Sequence, residues 1–226
     1  MNDLWLALLP ILLALMISPA RTIWVILLLH TPKGAFTALG FVVGMVAAMM
    51  AQGIIFGALF SLVGLTSEQS SGQLATVVSV LFLVAGIIML AGAAKFIFQD
   101  DEEDKPPPYW LGKLGAFTPR QAFSAGFGWL MVSPKQWIFV LTAVAVIFSA
   151  YLSVMASLLN HFVFVILVQI AYFVLIGVHV LMPERSAALL DGLFNWLKKN
   201  MKPLAIGLFT ILGLFFLVKG AMGLIA

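Results

Sequence analysis

Six stretches of this chain stay apolar for more than twenty residues at a time, and that pattern limits the folds open to it more than any other feature. A helix needs about twenty mostly apolar residues to cross the hydrocarbon core of a bilayer. The runs near 4–30, 34–63, 73–98, 121–150, 153–181 and 204–225 each reach that length. With 63% of residues hydrophobic and 9% charged, no soluble core of this size could enclose them, so the bilayer is the solvent. The first, second, fourth and fifth runs exceed a straight crossing, which predicts tilt or breaks, and Pro10, Pro19 and Pro134 supply break points. The expectation is an all-α polytopic membrane protein of six transmembrane helices, the first and fourth broken at proline.

Charge placement gives a direction. Lys33, Lys95, Lys105, Lys113, Arg120, Arg185, Lys198, Lys199 and Lys202 fall at the side reached after an odd number of crossings, and Lys219 is nearly alone opposite. The positive-inside tendency makes the first side cytoplasmic and puts both termini outside. The net charge of +3 sits at segment ends and suggests no nucleic-acid partner. The first apolar run, with Ser18-Pro19-Ala20 behind it, has the outline of a leader peptide. However, Asp3 stands where a basic residue belongs and the apolar stretch resumes at Ile23, so an uncleaved crossing is expected. The acidic run Asp100–Asp104 and Pro106–Pro108 mark a linker over 100–119 between halves 1–99 and 120–226. Within the second half, Leu190, Leu193, Phe194, Leu197 and Met201 recur at helical spacing. This predicts a cytoplasmic interfacial helix over 184–202 with Trp196 at headgroup level, or else an ordinary connecting helix.

The halves share a motif. Met16-Ile17-Ser18-Pro19-Ala20-Arg21-Thr22-Ile23 aligns with Met131-Val132-Ser133-Pro134-Lys135-Gln136-Trp137-Ile138, and Gln52 corresponds roughly to Gln169. Three crossings separate the copies, so they run in opposite directions, as two inverted three-helix repeats of the kind common among secondary transporters. Proline removes an amide donor and frees a carbonyl, which hydrocarbon cannot satisfy. Two such breaks facing each other at mid-depth would expose carbonyls and amides to a substrate, whereas either alone is an ordinary kink steadied by Ser18 or Ser133. Arg21 and Lys135 sharpen the reading, because a cation near the bilayer centre costs about 2.5–3.5 kcal/mol and normally faces a cavity or partner. Every acidic residue lies at a terminus or in a loop, leaving carbonyls, water, a substrate anion or a lipid headgroup to meet them; snorkelling is the alternative, more so for Arg21. The candidate substrate-binding residues are Ser18, Pro19, Arg21, Ser133, Pro134, Lys135, Gln136, Gln52 and Gln169.

Other chemistry is expected to be absent. The chain has no cysteine for thiolate metal sites or redox relays. It has no mid-membrane carboxylate for a proton path or a divalent cation, and no nucleophile and base converge, so neither cofactor, metal nor enzymatic activity is expected. His30, His161 and His179 read as packed or interfacial residues. Gly40, Gly44, Gly53 and Gly57 repeat at small-residue spacing, which suits close packing within the chain, with a dimer face as the alternative.

Ser18-Pro19-Ala20-Arg21, Leu27–Leu29, Thr31-Pro32-Lys33, Ala35, Ala38, Gly40-Phe41, Gly44 and Ser133-Pro134-Lys135 together resemble the sulfolipid- or glycopeptidolipid-addressing (Sap/Gap) group of the lysine-exporter superfamily. Members usually carry Asn-Pro-Lys where this chain has Ser133-Pro134-Lys135. The resemblance implies a six-helix inverted-repeat exporter in a bacterial cytoplasmic membrane, with namesakes tied to delivering glycolipids to the cell surface. Combined with two buried cations, it leads to the expectation of export or flipping of an amphipathic, anionic lipid or glycolipid. The alternatives are a small-solute (amino-acid) exporter and an accessory subunit. The expected partners are membrane lipids, a lipid or glycolipid substrate, and either a second copy of the chain or a lipid-export complex.

Overall fold

A computed structural model describes residues 2–65, 70–98 and 117–225. Residues 100–116 of the linker expected over 100–119, with Asp100–Asp104, Lys105, Pro106–Pro108 and Lys113, lie outside the described residues, as does Glu68. Eight helices are described: α1 Asn2–Met16, α2 Pro19–Leu29, α3 Gly34–Leu62, α4 Ser71–Phe98, α5 Pro119–Val132, α6 Pro134–Phe148, α7 Val154–Leu181 and α8 Pro183–Ile225. Among the described residues there is no strand.

Four helices, α3, α4, α7 and α8, are each long and apolar enough to cross a membrane. Counting α1 with α2 and α5 with α6 as one span apiece gives up to six. Large apolar side chains such as Phe36, Ile87, Val174 and Ile211 are left exposed by the packing, and only an apolar solvent accepts that much of them. The chain is a multi-pass membrane protein.

Proline sets several helix starts. Pro19, Pro119 and Pro134 each occupy the first turn, where the missing amide would have no intrahelical acceptor. Thr118 and Gln121 complete a capping box at the start of α5: Gln121 N donates to Thr118 Oγ1 at 3.3 Å and Thr118 N to Gln121 Oε1 at 2.9 Å.

The segment 184–202, expected as a separate surface helix, is continuous with the last apolar run in α8. At 43 residues α8 is about 65 Å long, roughly twice the hydrocarbon thickness. Pro203 does not end it, because the buried stripe Leu190, Leu197, Ala205, Leu212 stays in phase across the proline. Packing against its neighbours outweighs the one lost hydrogen bond.

α4 lies along α8 and α3 along α5. α3 also meets α7, α2 and α6, while α7 meets α1, α6 and α2; α4 reaches α6 and α2 reaches α8. The core gathers Leu8, Ile11, Ile26, Phe41, Met45, Phe139, Phe164, Tyr172 and Phe216 from both halves. The glycines of α3 face inward: a Cβ on Gly40 would meet the backbone of Pro119, and one on Gly44 would strike the carbonyl of Phe123. Gly126 on α5 returns the contact against the carbonyl of Phe41, so the two backbones touch where both helices begin.

Candidate functional site

The sequence of each Ser-Pro element decides where its helix stops. In a continuous helix the amide of residue 19 would bond the carbonyl of Leu15, and that of residue 134 the carbonyl of Leu130; proline has no amide to offer. α1 and α2 accordingly meet at 55°, and α5 and α6 at 77°.

Both freed carbonyls were expected to lie open to a substrate; instead each is occupied by a side-chain donor. The Arg21 guanidinium reaches back through Nη2 to the Leu15 carbonyl, and Gln52 of α3 donates through Nε2 to the Leu130 carbonyl at 3.1 Å. Trp137 Nε1 similarly closes the carbonyl of Met131 at 2.7 Å. A bare carbonyl in an apolar interior costs several kcal/mol, so these donors are what make the breaks tolerable. The serines act unequally: Ser133 Oγ accepts from Gln136 N at 3.4 Å, whereas the Ser18 side chain makes no capping bond.

Capping leaves polar atoms over. Arg21 Nη1, Gln136 Nε2, Gln52 Oε1 and Gln169 Oε1 are buried with no hydrogen-bond partner among the described residues, as is the Tyr172 hydroxyl. Gln169 Nε2 makes a weak contact, 3.5 Å, to Met49 Sδ. Gln52, Gln136 and Gln169 are each at most 4% exposed and Arg21 6%, so these groups are sequestered from solvent.

Lys135 stands in the first turn of α6, its ammonium 4.0 Å from the centroid of the Phe209 ring and 5.7 Å from that of Phe139. Such cation–π contacts contribute about 0.5–2 kcal/mol without neutralising the charge. Arg21, in the first turn of α2, is close enough for the two like charges to repel. No carboxylate pairs with either cation among the described residues; Asp191 Oδ1 instead meets His30 Nε2 at 3.1 Å, tying the end of α2 to α8. Helix N-termini carry partial positive charge, so each cation also opposes the dipole of its own helix. Helix starts of this kind favour anions, and Arg21 and Gln136 each keep a buried N–H group without a partner among the described residues.

The structure thus brings Arg21 and Lys135 within electrostatic range, joins Gln52 to the second break, and sets Gln169 against Met49 of the same α3. Phe209, Tyr172 and His161 were not among the sequence candidates. Phe209 and Tyr172 carried no distinguishing pattern, while His161 was visible as a histidine in an apolar run without a partner to give it a role.

A family model described as "Sap, sulfolipid-1-addressing protein" matches residues 8–222, all but the two ends of the chain. The protein belongs to the Sap family. No curated protein and no solved structure matches this Sap-family chain. Both Ser-Pro elements and every candidate residue of the site fall inside the matched range.

Proposed function

We propose that this Sap-family protein exports or flips an amphipathic, anionic lipid or glycolipid across the bacterial cytoplasmic membrane towards the cell surface, with the headgroup passing the Arg21–Lys135 centre. The single observation that carries the reading is that these two cations, each in the first turn of a helix, stand within electrostatic range of one another with no carboxylate paired to either among the described residues. An anion such as a sulfate or phosphate would relieve the repulsion between them, complement both dipoles and accept from Arg21 Nη1 and Gln136 Nε2. The family's name, an addressing protein for a sulfolipid, points to cargo of the same chemistry.

In this reading each bent pair is one crossing, the chain has six, and residues 1–99 and 120–226 are inverted repeats with both termini outside. The packing supports the repeat. Exchanging α1, α2, α3 and α4 for α5, α6, α7 and α8 turns α2–α3 into α6–α7, α3–α6 into α7–α2, α4–α6 into α8–α2, and α3–α5 into α7–α1, all of which occur, while α1–α6, α1–α8, α5–α6 and α7–α8 have no counterpart among the described residues.

The test is reconstitution into vesicles of an anionic glycolipid in phosphatidylcholine. The wild-type protein is expected to move the glycolipid and to co-purify with anionic lipid that mass spectrometry identifies, and Lys135→Ala to lose both. Unchanged transport and lipid content in Lys135→Ala would overturn the headgroup role. Efflux of amino acids in place of lipid would favour the small-solute exporter, and activity only with a co-purifying partner the accessory subunit.

A further inference from the structure

A cavity of ≈ 460 Å³ opens at the end of the bundle where α3 and α6 finish and α7 begins. Its size falls in the range of ligand pockets, about 300–1,000 Å³. Ile54, Val144, Ile147, Phe148 and Leu158 make its walls apolar. His161 also lines it, two helical turns along α7 from Ser153 and so about 12 Å deeper.

His161 is out of place in so apolar a wall. It is 4% exposed, and the absence of a side chain at Gly53, where a Cβ would overlap the imidazole, lets the ring reach the backbone of α3. Its Nε2 lies 3.1 Å from the Met49 carbonyl, and a carbonyl only accepts, so the hydrogen sits on Nε2. In the neutral ring Nδ1 is then a bare acceptor, and it is buried with no partner among the described residues. A buried acceptor left empty costs about 1–3 kcal/mol, so a donor on a ligand would be recovering that loss. Met49 also touches a second buried polar group of α7, its Sδ lying 3.5 Å from Gln169 Nε2.

We infer that this cavity holds an alkyl chain of the transported lipid while a hydroxyl of its headgroup donates to His161 Nδ1. The inference rests on the transport reading for the choice of a lipid, and it narrows the cargo to molecules carrying an anion, a hydroxyl donor and an alkyl chain. It separates glycolipids from simple alkyl sulfates, which are fully ionised and have no hydroxyl to offer.

The test uses the full chain in phosphatidylcholine nanodiscs with a photoreactive dodecyl glucoside, its O-permethylated analogue, which keeps the shape but has no donor, and a photoreactive dodecyl sulfate. The glucoside is expected to label peptides containing Val144 or Leu158 and to bind about tenfold more tightly than the permethylated form. His161→Phe should remove that preference while leaving the permethylated compound's binding unchanged. Gly57→Leu should reduce labelling by both compounds through occupancy of the cavity; a Cβ there meets only Phe148, at 3.4 Å, so the fold accepts it. Equal binding of glucoside and permethylated glucoside, a glucoside preference that survives His161→Phe, or stronger labelling of the Val144 and Leu158 peptides by the alkyl sulfate would each overturn the proposal. Lys135→Ala separates the two readings: glucoside labelling that persists while export is lost supports both, and export that depends on Lys135 without cavity labelling sinks this proposal alone.

Discussion

At the scale of the residue, the two prolines set problems that the chain answers with different donors. Leu15 is served from within its own half by Arg21, and Leu130 from the other half by Gln52. Gln169, which corresponds to Gln52, reaches only a thioether sulfur. Gln52→Leu is therefore expected to destabilise the detergent-solubilised protein by about 1–3 kcal/mol more than Gln169→Leu, read as midpoints of thermal unfolding. Both amides bury an oxygen without a partner, so that contribution cancels in the comparison. Equal losses would show that the carbonyl of Leu130 does not depend on its donor. Proline's chemistry acts over one turn, which is why the breaks could be foreseen from local sequence. The donors could not be, because Gln52 and Leu130 stand 78 positions apart and His161 and Met49 112. Nothing in the local pattern links such pairs.

At the scale of the element, small residues and in-phase apolar stripes decide how the helices meet. Gly44→Leu should force α3 away from α5, because its first side-chain carbon already collides with the rigid carbonyl of Phe123; such overpacking costs about 1–3 kcal/mol or more. Gly128→Ala on α5 has open space around it and should be neutral or stabilising by up to about 1 kcal/mol through helix propensity. Monodisperse yield after size-exclusion chromatography checks the pair, and similar behaviour of the two would refute a close α3–α5 contact. The glycine spacing was legible as packing before any partner helix was known. The continuity of α8 was not, since a proline after a basic run reads locally as a stop. Only the phase of Leu190, Leu197, Ala205 and Leu212 against the neighbouring helices keeps it whole.

At the scale of the whole molecule, the chain contains no native cysteine, so single cysteines can map its topology without background. The proposed topology puts both ends outside, so Asn2→Cys and Met222→Cys should react with a membrane-impermeant maleimide in intact cells, and Glu184→Cys only after the membrane is opened. The opposite pattern would overturn the proposed orientation. Apolar run length made the membrane class evident from sequence. The convergence of Arg21 and Lys135, 114 positions apart, needed the folded chain. The two halves also differ in how their helices approach. α3 and α5 come together backbone to backbone through Gly40, Gly44 and Gly126, whereas α1 has no glycine with which to approach α7 in the same way. Where carbonyl meets glycine there is no width for a file of water molecules, and so no wire along which protons could hop. In the proposed export of bulky amphiphiles, a seam this dry between α3 and α5 gives ions no path of their own, so a membrane voltage, about 2.3 kcal/mol per charge for each 100 mV, meets insulation there.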